Sequence, residues 1–158
     1  METAFETYLT QDLTKILSEL EPDRKPNWGK LTPQHMIEHV IGSWRISNGR
    51  AQAPLLIPEE DIPKRMAFLH GPEPFAQDVR TPVMPENPGP LRKPDLASAN
   101  AQLVDDVLAF FPFFEANPDA RPVHPLFGPL NREEWLRFQW KHMGHHFRQF
   151  NLPFPEKS

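Results

Sequence analysis

WLRFQWKHMGHHFRQF, residues 135–150, is the stretch from which the fold of this chain is best predicted, and it contains three of the protein's seven histidines within five residues. A helix advances about 100° per residue, so the faces of this segment follow from arithmetic. The apolar side chains fall on one side and predict the face toward the core: Leu136, Trp140, Met143, Phe147 and Phe150. Charged side chains fall opposite and are expected in solvent: Glu134, Arg137, Lys141 and Arg148. The stretch therefore predicts a long amphipathic helix.

The three histidines of this helix divide between its faces. His142 and His146 are four residues apart and lie beside the apolar stripe, whereas His145 falls among the charges and is expected to be exposed. An i, i+4 pair of imidazoles can hold one divalent ion, but two ligands make a weak site. His39 is the best candidate for a third ligand. A histidine at the edge of an amphipathic helix face usually bonds only water or a backbone carbonyl, so spacing alone leaves both readings open.

Three further long helices and one short helix are predicted from apolar spacing and capping residues. Residues 3–20 form the first long helix, and Thr32-Pro33 begins a second that ends near Asn48-Gly49. A short helix is expected between Pro58 and Leu69, bent near Pro63. The third long helix runs from its cap Asp95 to Glu115, either ending at Pro112 or continuing as a distorted turn, and the last begins after the cap Asn131.

Composition narrows the class of protein. The chain has 158 residues, which predicts one domain over residues 1–158. Its formal net charge of −4 and lack of a basic block argue against nucleic acid and acidic membranes as partners. No apolar run approaches the ~18–20 residues that span a bilayer.

There is no cysteine, hence no disulfide framework or thiolate ligand, and a cytoplasmic location is expected. The 20 prolines concentrate between 54 and 94 and between 112 and 129, which predicts long irregular loops.

Two motifs together resemble those of the DinB/YfiT-like superfamily. The segment His142-Met-Gly-His145-His146 before Arg148-Gln149 resembles its closing motif, and Trp28-Gly-Lys-Leu-Thr-Pro-Gln-His-Met-Ile-Glu-His39-Val is similar to its second-helix motif. Together with the segment from His124 to Trp135, they look most like an uncharacterised subfamily. The resemblance extends over roughly Phe5 to Phe150. The predicted elements indicate an all-α fold of four main helices and one short extra helix with long Pro-rich loops. The resemblance implies that the main helices form a four-helix bundle. It also implies a divalent metal ion, Zn, Ni, Fe or Mn, held by His39, His142 and His146.

The resemblance implies a range of functions rather than one. Relatives include thiol-cofactor transferases, a thiol-dependent isomerase and presumed hydrolases. We therefore expect a metal-dependent hydrolase or thiol transferase that acts on a small molecule or a low-molecular-weight thiol. The alternative is a non-catalytic, metal-stabilised binding or stress-response protein. Fold and site do not fix the reaction.

Other polar residues are candidates for supporting roles. His124 and Glu38 are weak candidates for proton transfer. His35 stands where the superfamily more usually has Gln, and it could be a spare or supporting imidazole, although we expect its side chain to be exposed. A substrate pocket is expected between the mouth of the bundle and the loops 70–94 and 116–130. A homodimer is possible, since small helical bundles often pair through an exposed face.

Overall fold

The structure, a computed structural model, describes residues 2–77 and 88–158, and these are mostly helical. The α-helices are α1 (Ala4–Thr7), α2 (Leu13–Ser18), α3 (Pro33–Ser47), α4 (Ile62–His70), α5 (Leu96–Leu108), α6 (Phe110–Ala116) and α7 (Arg132–Gln149). A π-helical turn, Tyr8–Asp12, joins α1 to α2, and a 3₁₀ turn, Glu59–Asp61, precedes α4. Residues 78–87 of the predicted loop 70–94 lie outside the described part of the chain. No helix in the described part combines the length and apolarity needed to cross a membrane.

The helix starts predicted from capping residues are confirmed. Thr32, Asp95 and Asn131 have extended backbones, and their side-chain oxygens accept hydrogen bonds from the N–H groups three residues later. At Asn131 the bond is reciprocal, because Glu134 accepts from the backbone N–H of Asn131 at 2.9 Å. Each side chain satisfies an amide that the helix itself leaves without a partner. Local sequence therefore sets where α3, α5 and α7 begin.

The region of the predicted third helix is two helices, α5 and α6, with a break at Ala109. Pro112 does not end a helix. It is the third residue of α6, within the first turn, where a missing backbone N–H removes no intrahelical hydrogen bond. The only strands among the described residues are β1 (Val123–His124) and β2 (Gly128–Pro129), which pair antiparallel. Gly128, at φ 83°, makes the return possible within this short hairpin.

Helix α7 is buried on more faces than the apolar stripe predicted. Trp135 and Phe138, outside that stripe, are 0% and 3% exposed. Phe138 packs against the hairpin residues His124 and Phe127, with ring centroids 4.2 and 5.6 Å away. On another side α7 packs against α3, and on a third against α4. Nine of the 18 residues of α7 are buried, so the polar side chains among them must find partners within the protein.

The prediction that the charged face of α7 is solvated is wrong for Lys141, whose side chain is buried. Its Nζ donates to the carbonyl of Glu73 and lies 4.5 Å from the centroid of the Phe68 ring. One turn earlier, Arg137 donates to the carbonyls of Leu69 and Gly71. These carbonyls lie at and just beyond the carboxyl end of α4, where cations are favourable. The basic face of α7 therefore anchors the end of α4 and the loop that follows it, residues 71–77, called here the α4 loop.

Candidate metal centre

Two polar stripes face each other where α3 packs against α7. On α3, His39, Ser43 and Ser47 recur every four residues and share one face. On α7, Gln139, His142 and His146 recur at spacings of three and four. Ser43 donates to the Gln139 side chain at 3.0 Å, and Gln139 donates to Ser47 at 3.4 Å. His39, His142 and His146 form the adjoining layer of side chains between α3 and α7.

His39, His142 and His146 come together as the spacing and the resemblance predicted. Their ligand atoms all lie within 4.8 Å of one another, and no carboxylate of the described residues joins the group. The Nε2 atoms of His39 and His142 are 2.9 Å apart. Metal–nitrogen bonds of about 2.0–2.1 Å place two nitrogens about 2.9 Å apart at right angles and about 3.4 Å apart at the tetrahedral angle. Rearrangement of the rings by about 1.5 Å or less would therefore suffice for one ion.

All three imidazoles are neutral at physiological pH, as metal binding requires. Burial, together with the nearby His145, lowers the pKa of His39 to about 4. Burial also lowers the pKa of His142 and of His146 well below the ordinary value, and a proton on neighbouring His39 would lower both further. Uncharged rings keep a lone pair available, so the protein does not need to release protons when it takes up a metal near pH 7.

A buried glutamine fixes which nitrogen of His146 is free. The Nδ1 of His146 lies 2.9 Å from Oε1 of Gln149, and Nε2 of Gln149 donates to the carbonyl of Trp28 at 2.9 Å. Because the amide nitrogen of Gln149 faces a carbonyl, its oxygen faces His146 and accepts from Nδ1–H. The lone pair of His146 is therefore on Nε2. A second residue that bonds the remote nitrogen of a ligating histidine in this way is typical of metal sites.

His142 lacks such a support. Its Nδ1 is buried and has no hydrogen-bond partner among the described residues, and its ring stacks on Phe138 with centroids 5.0 Å apart. The two Nε2 atoms of His39 and His142 share at most one proton between neutral rings. A cation between these nitrogens would satisfy both lone pairs. The donor set thus fits a divalent ion, and imidazole ligands alone do not select which one.

His145 and His35 lie outside the three-histidine group, and both are less exposed than predicted. His145, expected in solvent, is half-buried, 5.2 Å from the Trp28 ring and 5.0 Å from the His146 ring. It was misjudged because helix arithmetic does not show which loops cover a face. His35, also expected to be exposed, is half-buried and lies 2.7 Å from the Thr32 hydroxyl and 3.0 Å from the Gly89 carbonyl. His35 thus connects α3 to residue 89 and is not a member of the three-histidine group.

His124 and Glu38, the candidates for proton transfer, both have structural partners. The Nδ1 of His124 accepts from the backbone N–H of Leu126 at 3.0 Å, and burial lowers its pKa to about 3. Glu38 accepts from the backbone N–H groups of Arg92 and Lys93 at 2.6 and 3.2 Å. Partial burial opposes ionisation of Glu38, but these hydrogen bonds and one from Gln34 outweigh it and lower its pKa. Glu38 therefore fastens residues 92 and 93 to α3.

Sequence reasoning missed the roles of Gln149 and of Phe75. Gln149 follows His146 by three residues and so lies beside it on the helix, a spacing that could have identified it. Phe75, on the α4 loop, packs against the rings of His142 and His145 with centroids 6.0 and 6.2 Å away. Nothing in the local sequence of this loop indicates that contact.

Comparison with known proteins identifies the family. No match was found among curated proteins or among solved structures. The sequence model of the DinB superfamily matches residues 4–150, which include both helices of the three-histidine group. A mostly helical fold and a three-histidine group fit a metal-binding protein of this kind. The chain therefore belongs to the DinB superfamily.

Proposed function

We propose that this protein is a divalent-metal-dependent enzyme of the hydrolase or thiol-transferase type that acts on a small molecule. The observation that carries the proposal is the convergence of three neutral imidazoles, His39, His142 and His146, without a carboxylate in the group. Structural zinc sites are almost always closed by four protein ligands, whereas catalytic sites have three and leave one position open. A three-ligand set therefore favours chemistry over a purely structural role. We also propose that the main helices form a four-helix bundle.

Three residues of the site would bind the ion, and others would support it. His39, from α3, and His142 and His146, from α7, would hold the ion, and Gln149 keeps the Nε2 lone pair of His146 available. When bound, the ion would act as a Lewis acid and lower the pKa of a water molecule or a thiol at the open position. The site's apolar rings, Phe75 and Phe138, limit the access of bulk water.

The hydrogen bonds of His124 and Glu38 limit how each could take part in proton transfer. Because Nδ1 of His124 accepts from Leu126, the neutral ring carries its proton on Nε2, which can donate a hydrogen bond. Glu38 is held by backbone N–H groups on both carboxylate oxygens. We therefore propose that His124 orients a polar group of the substrate, and that Glu38 supports residues 92 and 93 rather than acting as a base.

Metal content of matched variants tests the proposal. Elemental analysis of the purified protein should find about one transition-metal ion per chain, and His39→Ala, His142→Ala and His146→Ala should each lose it, because two imidazoles make a weak site. His35→Ala is the matched control, since His35 lies on α3 one turn before His39 and outside the group. Retention of metal by all three site variants would refute the proposal.

Activity of the loaded protein separates an enzyme from a non-catalytic module. Hydrolysis of activated esters and amides, and transfer of a small thiol to an electrophile, should each be assayed with and without metal. Turnover that disappears in His142→Ala and persists in His35→Ala is the expected result. If metal raises only the melting temperature and no substrate is turned over, the metal-stabilised binding protein is the better description.

A further inference from the structure

Three rings stand in a row beside the three-histidine group. Trp28 lies 5.2 Å from His145, and His145 lies 6.2 Å from Phe75, measured between ring centroids. The row runs alongside two of the proposed ligands, because His145 is 5.0 Å from His146 and Phe75 is 6.0 Å from His142. We call Trp28, His145 and Phe75 the ring row. It joins three separate parts of the chain: the loop before α3, helix α7 and the α4 loop.

The Trp28 end of the ring row is held by the last turn of α7. The carbonyl of Trp28 accepts from Gln149, and the backbone N–H of Asn27 donates to the carbonyl of Gln149 at 2.7 Å. The Asn27 side chain donates to the carbonyl of Arg148 at 2.9 Å. These bonds all use groups other than the indole ring. The ring can therefore be replaced while its backbone anchor remains.

The Phe75 end is held by the basic face of α7. Lys141 bonds the carbonyl of Glu73, two residues before Phe75, and Arg137 bonds that of Gly71. Phe75 itself packs on Phe68, with centroids 5.2 Å apart. Hydrogen bonds to charged donors are stronger than those between neutral groups, so Gly71 and Glu73 of the α4 loop are anchored without a ligand. A fixed ring loses little freedom on binding, which favours affinity.

The ring row is partly exposed. Its three members are half-buried, and so are His39 and His142 behind it. A molecule that reaches the imidazoles from this side lies against aromatic faces and edges, which favour flat apolar groups. In the described part of the chain no carboxylate joins the three neutral imidazoles, so the charge of a divalent ion would stay uncompensated. That charge favours an anionic donor atom.

We propose that the ring row makes the site selective for small molecules that join an anionic donor atom to a flat, apolar ring. The inference rests on the proposed function, because the donor atom needs the ion. It goes beyond that function by assigning specificity to Trp28 and Phe75. His145 is the middle member of the ring row. Because it is a neighbour of His146, it carries no separate role in the proposal.

A matched pair of probes tests this selectivity. Benzohydroxamate and acetohydroxamate carry the same anionic donor group, and only the first carries a ring. Titration calorimetry on the zinc-loaded protein should show at least about tenfold tighter binding of benzohydroxamate, as expected for one or two aromatic contacts. Trp28→Leu and Phe75→Ala should each reduce that preference to about threefold or less while leaving acetohydroxamate binding within about twofold. Phe75→Leu, apolar but without a ring, replaces Phe75→Ala if the alanine variant does not fold.

The control is Phe111→Ala. Phe111 is a half-buried phenylalanine on α6 that packs against Phe110 and Arg132, away from the ring row, so its removal should leave the preference intact. Equal binding of both probes to the wild type, binding of neither, or a preference that survives both ring variants would overturn the inference. Elemental analysis distinguishes failure of the proposed function from failure of the selectivity alone. A protein that takes up no zinc refutes the proposed function, whereas a zinc-loaded protein without ring preference refutes only the selectivity.

Discussion

Replacement of Gln149 by Met tests whether its amide sets the tautomer of His146. Gln149 is 3% exposed, and it makes two hydrogen bonds of 2.9 Å, one to His146 and one to the Trp28 carbonyl. Methionine has a similar length but neither donates nor accepts effectively. The change leaves the buried N–H of His146 and the part-buried carbonyl of Trp28 without these partners. The buried N–H alone costs about 1–3 kcal/mol of unfolding free energy.

The effect on metal binding should be separable from the effect on stability. Loss of a residue that supports a ligating histidine typically lowers metal affinity by about 10–100-fold, equivalent to about 1.4–2.7 kcal/mol. Competition with a chromophoric zinc chelator measures the affinity, and urea unfolding of the metal-free protein measures stability. We expect both to fall in Gln149→Met.

Gln139→Met is the matched control. Gln139 is also a buried amide of α7 that bridges to another segment, but it bonds Ser43 and Ser47 and no histidine. Its replacement should destabilise the protein by a similar amount and change zinc affinity by about twofold or less, because Gln139 bonds none of the three histidines. Unchanged zinc affinity in Gln149→Met, or an equal loss in Gln139→Met, would refute the assigned role of Gln149.

Two further predictions concern stability. A Cβ at Gly42 would meet nothing within 4 Å, so Gly42→Ala within α3 should raise the unfolding free energy by about 0.5–1 kcal/mol. A Cβ at Gly144 would lie 2.8 Å from the Phe154 ring, so Gly144→Ala should lower the unfolding free energy by about 1–3 kcal/mol. Urea unfolding of both variants checks the opposite signs. Burial lowers the pKa of His124 to about 3, against about 6.5 in the unfolded chain, so between these values only the unfolded state binds this proton, and stability falls as pH falls. His124→Phe should reduce the slope of unfolding free energy against pH by about 1.4 kcal/mol per unit between pH 6 and pH 4, and an unchanged slope would contradict a buried neutral His124.

Local features of the chain were predictable because they depend on neighbouring residues. Thr32, Asp95 and Asn131 begin helices through bonds to amides three residues away, and no tertiary contact is needed. The proximity of His39 to the α7 histidines is not local, and the combination of motifs indicated it. Their role as metal ligands stays a prediction.

The surroundings of α7 were not predictable from helix periodicity. The angle between residues shows which side chains share a face, but not how many neighbouring elements cover the helix. Lys141 and His145 were expected in solvent because they share the charged face. The α4 loop and Trp28 cover that face, and contacts between such distant segments leave no periodic signal. The break at Ala109 was missed because a run of aromatic residues fits either one helix or two.

The distance along the chain between the histidines has a consequence for the order of events in synthesis. His39 and His142 are 103 residues apart, and the amide that supports His146 is anchored 121 residues upstream, at Trp28. During synthesis His39 leaves the ribosome long before its partners exist, and a lone imidazole captures metal poorly. The site therefore forms only after α7 has packed against α3. Metal should bind the native protein almost exclusively, and each tenfold excess over its dissociation constant would then add about 1.4 kcal/mol to the unfolding free energy.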